Sequence, residues 1–165
     1  MALKKFDDLQ QFVKISGGGD IDDDGPLSME QEKICKEIAI ICNILAMAHL
    51  HTEDYKMSQE LLKKAELYTE NGNARIRAIT YNNLACLFRK TKKLRNALSY
   101  LEKALEIEYK CLNYPPEEQE KDLPVEECLI ISNPCEIHLN ICAILSQMDK
   151  HDLALHHAMK ALILI

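Results

Sequence analysis

The stretch Tyr81-Asn82-Asn83-Leu84-Ala85, continued by Phe88, Leu94, Ala97, Leu101 and the run Lys103-Ala104-Leu105-Glu106, places apolar residues three and four apart on both sides of a polar break at Lys90–Lys93. That spacing is one face of a helix, a turn, and one face of a second helix. Working outward, the same residue types recur in the same order twice more. Upstream the chain reads Cys42-Asn43-Ile44-Leu45-Ala46, then His49, Tyr55, Ser58, Leu62 and Lys64-Ala65. Downstream it reads His138-Leu139-Asn140-Ile141-Cys142, then Leu145, Ala154, Ala158 and Lys160-Ala161-Leu162.

The small residues have a mechanical reason. Ala46, Ala85 and Cys142 fall where the first helix of each pair must approach its partner closely, and Ser58, Ala97 and Ala154 face them from the second helix. Ala65, Ala104 and Ala161 form a third set, at which a following pair can stack. Small side chains at crossings let helix axes come together, and larger apolar residues fill the space between.

Start and stop signals set the boundaries. Ser28 with Gln31 reads as a capping box, and Asn133-Pro134-Cys135-Glu136 combines a capping Asn, a Pro in the first helical position and a Glu three after the cap. Asn71-Gly72 and Tyr114-Pro115-Pro116 read as helix ends. The result is helices near 28–50, 53–70, 73–90, 94–113, 134–148 and 151–165, paired as antiparallel hairpins. Residues 1–27 are predicted to be an amphipathic segment over Met1–Ile15 followed by an acidic Gly/Asp-rich linker. Residues 28–165 form the helical repeat domain, with an insertion at about 109–133.

This ordered pattern resembles the tetratricopeptide repeat family over about 38–165, most closely over 78–108. The resemblance implies an all-α fold of hairpins stacked as a short right-handed superhelix. It also implies a protein-interaction scaffold that binds a peptide or helix of a partner protein on the concave groove lined by the first helices. The family period is 34 residues. Here Ala46 to Ala85 spans 39 residues and Ala85 to Cys142 spans 57, and the proline that closes a typical repeat is missing after the first two. On this mapping the groove residues are Asn43, Met47, Leu50, Asn82, Asn83, Arg89 and Asn140. Some family members clamp the terminal carboxylate of cytosolic chaperones. The matching positions here are Asn43, Met47, Asn83, Glu136 and Asn140, of which only Asn83 agrees, and Glu136 reverses the charge a carboxylate needs. The reading therefore favours an apolar or mixed segment, whose backbone asparagines can pair with.

Composition excludes other classes. The chain has 165 residues, 47% hydrophobic and 28% charged, with a net charge of −6. It is globular, and its acidic balance argues against nucleic acid or an anionic membrane as partner. The longest apolar tract, Ile34–Leu50, holds Lys36, Glu37, Asn43 and His49 and reads as a helix buried in protein. Seven cysteines without a C-x-x-C pair, behind a start lacking an apolar signal core, are expected to be reduced, mostly buried thiols of a cytoplasmic protein, ciliary or cytoskeletal assemblies included.

No catalytic constellation appears, and the chain is expected to be neither an enzyme nor a cofactor carrier. The alternative function is a calcium-responsive adaptor. Asp20, Asp22 and Asp24 alternate before Gly25 as in the opening of a calcium loop spanning 20–31, but the twelfth position is Gln31 instead of a bidentate Glu. The histidines do not share helical faces in pairs: His49 with His51, and His156 with His157, are two and one apart. His138 takes the large-residue position of its repeat and is expected to be a core or groove residue. The last helix carries Leu153, Leu155, Met159, Leu162, Ile163, Leu164 and Ile165, which predicts a sticky face that meets a second copy or a further part of a longer parent chain.

Overall fold

The polar breaks and caps of the sequence become helix ends in the computed structural model, which describes residues 29–70, 73–113 and 133–165. The amphipathic start, the aspartates at 20, 22 and 24, Ser28, the Asn71-Gly72 stop, most of the insertion and Cys128 lie outside these residues. All regular structure among the described residues is helical: α1 (Met29–His51), α2 (Tyr55–Tyr68), α3 (Ala74–Lys90), α4 (Leu94–Asn113), α5 (Pro134–Gln147) and α6 (His151–Ile163). The fold is thus the all-α helical repeat expected, and each helix ends within two residues of its expected position. The described chain divides into two compact units, with the boundary between Ile76 and Arg77 inside α3.

In the first unit α1 packs along α2. Ile38, Ala39, Cys42, Asn43, Ala46 and Leu50 form the buried stripe of α1, and Ser58, Leu61, Leu62 and Ala65 that of α2. At 23 residues α1 has the length expected for it, and by length and composition alone it would reach across a bilayer. In the second unit Tyr100 of α4 stacks on Phe88 of α3 at 5.5 Å between ring centroids, α5 packs on α4, and α6 packs on α5. Asn133 caps α5 by accepting from the Cys135 amide at 2.9 Å, as its sequence foretold. Asp54 caps α2 in the same manner, accepting from Met57 at 3.1 Å.

The small residues occupy the crossings assigned to them. Ala46, Ala65, Ala85, Ala97, Ala104, Ala154, Ala161 and Ser58 are all buried. Cys142 is the exception, being only half-buried. Ser58 is there for its size: its hydroxyl oxygen has no hydrogen-bond partner among the described residues. The thiols are a correction to the reading of buried cysteines. Of the six described, Cys42 and Cys135 are buried, Cys35, Cys86 and Cys142 are half-buried, and Cys111 is exposed. Burial raises the Cys42 thiol to about 11, against a smaller opposing effect of Lys64, so it stays protonated at neutral pH.

The turn inside each hairpin is the same. Glu53, Lys92 and Asp149 all have positive φ, at 63°, 62° and 58°. These residues sit seven beyond Ala46, Ala85 and Cys142, so the register read from side chains is repeated by the backbone. The amide after each donates five residues back: Asp54 to His49 at 2.9 Å, Lys93 to Phe88 at 2.8 Å and Lys150 to Leu145 at 2.9 Å. Each left-handed residue also donates three back, to Leu50, Arg89 and Ser146. Together these bonds make a Schellman closure, which satisfies carbonyls that the helix end would otherwise leave unpaired. Glycine is the usual occupant of the left-handed position because a Cβ is strained there. Lys92→Gly is therefore expected to stabilise the chain by about 0.5–1 kcal/mol after glycine's greater freedom in the unfolded chain is subtracted. Urea unfolding of the two chains measures it, and an unchanged or lower midpoint contradicts the strain argument.

Candidate functional site

The residues read as groove-lining separate into the two units. In the first, Asn43 is 1% exposed, its amide donating to the Ala39 carbonyl one turn back at 2.9 Å, and Leu50 is buried. Both are interior side chains, which leaves Met47 half-buried on this helix. The exposed apolar residue of α1 beside them is Ile44, which the sequence reading passed over. The reason is physical. Asn43 and Ile44 are neighbours, so they point about 100° apart on a helix, and polarity suggested the wrong one as solvent-facing. The amide is satisfied by its own helix, which makes burial tolerable.

In the second unit the residues come together. Asn82, Asn83 and Arg89 lie half-buried on α3, and Asn140 lies half-buried on α5. The Asn140 amide donates to the Asn82 side-chain carbonyl at 3.0 Å, joining the first helices of consecutive repeats. Fifty-eight residues separate these two in the chain, and nothing in the sequence identified them as a pair. Arg89, one turn on, and Glu136 at the start of α5 both act electrostatically on Cys86. Burial raises its thiol, with smaller opposing effects from Arg89, which lowers it, and Glu136, which raises it. Leu139, also missed by the sequence reading, precedes Asn140 and is half exposed. The face therefore presents one exposed leucine, an asparagine pair, a guanidinium and a carboxylate.

That arrangement suits recognition. Among the described residues no group of three or more histidine, cysteine or carboxylate side chains is placed to hold a metal ion. On the remaining helix, Leu155, Met159 and Leu162 of α6 are exposed at spacings of four and three, with Ile163 beside them. They form an apolar stripe next to the buried Ala154 and Ala161.

Comparison with known proteins agrees with this geometry. The family model for the tetratricopeptide repeat matches residues 37–108. No curated protein matches the chain. Among solved structures, the crystal structure of BtubC (BKLC) from P. vanneervenii superposes with a TM-score of 0.61 at 16% sequence identity, covering 98% of this chain and 53% of that one. The likeness concerns the fold, and this chain spans about half of that structure's length. Tetratricopeptide repeats generally serve as non-catalytic scaffolds for protein–protein interaction, and residues 37–108 of this chain match the model of such repeats.

Proposed function

We propose that the chain is an interaction scaffold whose second unit binds an extended or helical segment of a partner protein along α3 and α5. The observation that carries this reading is the bridge from Asn140 to Asn82 beside the exposed Leu139. One amide hydrogen bond joins the two side chains and leaves the Asn82 nitrogen and the Asn140 oxygen as a donor and an acceptor. A peptide unit offers the complementary acceptor and donor, and needs no charge to do so. Leu139 supplies apolar contact, and Arg89 and Glu136 favour a segment carrying one charge of each sign.

The experiment is capture with a photo-cross-linker at position 139, followed by affinity measurement on the captured segment. Burying a leucine contributes about 1.5–3 kcal/mol, so Leu139→Glu is expected to weaken binding tenfold or more, roughly as that energy converts. Arg89→Glu should weaken it too, whereas Lys110→Gln, on the exposed part of α4, should not. Cross-links that map away from α3 and α5, or affinities indifferent to Leu139→Glu, overturn the reading.

A second surface is favoured by a separate observation, the exposed stripe of α6. We assign it to contact with another helix of the same kind, supplied by a second copy or by further repeats of a longer chain. The calcium-responsive alternative rests only on Asp20, Asp22 and Asp24, and calorimetric titration with calcium tests it: no heat of binding at millimolar calcium removes it.

A further inference from the structure

The three hairpins put related residues at one crossing, and the last of them differs in chemistry. In the middle hairpin Tyr81 of α3 meets Tyr100 of α4, ring centroids 5.5 Å apart and tilted by 54°. The residues 57 positions further on are His138 of α5 and His157 of α6. They meet in the same way, centroids 5.0 Å apart and tilted by 53°. Even the neighbouring cation is repeated. Lys103 stands over both tyrosine rings, at 5.8 and 5.2 Å, and its counterpart in the last hairpin, Lys160, acts electrostatically on both imidazoles. The crossing has kept its geometry while a pair of phenol rings has become a pair of imidazoles.

The histidines are also bonded. Nδ1 of His138 lies 2.9 Å from Nδ1 of His157, and Nε2 of His138 lies 2.9 Å from the Tyr109 hydroxyl of α4. One side chain from each of α4, α5 and α6 thus joins a chain through the fully buried His138. The short Nδ1–Nδ1 contact is a hydrogen bond only while one of the two nitrogens keeps a lone pair. With both rings neutral that condition holds. A first added proton is accommodated, because one ring can donate from both nitrogens while the other accepts. A second proton puts hydrogens on both facing nitrogens and two positive charges in one crossing.

We propose that the α5–α6 crossing is a proton-sensitive latch, closed while His138 and His157 are neutral and loosened when they take up protons. The groups acting on the pair are Tyr109 from α4 and His156 and Lys160 from α6, and the thiols Cys135 and Cys142 lie one turn to either side of His138 on α5. Lys160 favours neutral rings, as Lys103 does at the tyrosines, and opposes imidazolium; His156 acts on the pair in the same direction. Burial first, then these cations, lowers both histidines below their ordinary 6.5. The folded chain therefore holds fewer protons than the unfolded chain over this range. The crossing's stability is complete above pH 6.5 and is lost as pH falls through the lowered values. The helix released is α6, which carries the exposed apolar stripe.

Hydrogen exchange on the full chain tests this, with rates corrected for the intrinsic effect of pH. Between pH 7.5 and 5.5, protection of the α5 and α6 amides should fall by up to about tenfold per pH unit per imidazole, and by more than that of α1. The double substitution His138→Tyr and His157→Tyr rebuilds the middle hairpin's crossing and should flatten the response. Wild-type protection that does not change over this range overturns the proposal, as does an equal loss in the double variant. Should that variant fail to fold, NMR titration of the labelled wild-type histidines decides: both rings titrating below 6.5 supports the latch, and either at or above 6.5 overturns it.

Discussion

Leu162→Glu combined with Ile165→Lys should abolish the self-association expected of the unaltered chain as its concentration rises. Both residues are largely exposed, at 73% and 90%. Buried against a second helix, each contributes about 1.5–3 kcal/mol, so losing both costs about 3–6 kcal/mol, or roughly 10²–10⁴ in dissociation constant. The introduced charges add to this, since a partner face of the same composition offers them no counter-ion. Sedimentation velocity over a dilution series measures the effect. A chain that stays monomeric at high concentration, or association unchanged by the pair of substitutions, contradicts the assignment of α6 as a contact surface.

Ala85→Leu and Ala104→Leu should each lower the unfolding free energy by about 1–3 kcal/mol. The two alanines are 1% and 0% exposed, on α3 and α4. Three further carbons at a close crossing must displace a helix or leave their rotamers, and both responses cost energy. Ala48→Leu is the control: its site on α1 is exposed, so the change should stay within about 0.5 kcal/mol. Urea midpoints at constant slope compare the three. Neutral outcomes at positions 85 and 104 would mean that the repeat register is misaligned.

Much of this fold could be read from residue order, and particular positions show why. Ala85, Ala97 and Ala104 announced their burial because a small residue recurring in one register has few other uses. Asn133-Pro134 announced the start of α5 because capping is local: the side chain bonds an amide two residues away. The same locality explains the hairpin ends, with one omission. Glu53 and Lys92 are poor formers of left-handed backbone, so their positive φ was invisible in their identities, whereas Asp149 is of a type that visits this region more readily. The positive φ is imposed by the Schellman bonds and by the helices on either side.

The site was less legible. Asn43 was read as open and is interior, whereas Ile44 and Leu139 are open and were passed over. Polarity predicts exposure only on average, and a buried amide is tolerated wherever its own helix satisfies it, as the Ala39 carbonyl does here. His156 and His157 were set aside because neighbours on a helix do not share a face. That argument holds within one helix and says nothing about the next.

What the amino-acid order by itself determined, then, is the local content of this protein: the six helices of the described residues, their caps, their small-residue crossings and the hairpin register. Each of these depends on residues within a few turns of one another. Only tertiary structure decided the pairings of Asn82 with Asn140, of Tyr109 with His138 and of His138 with His157, which bring together residues 58, 29 and 19 apart. Such contacts depend on how helices dock, and docking is set by the summed packing of many side chains, none of which names its partner in the sequence.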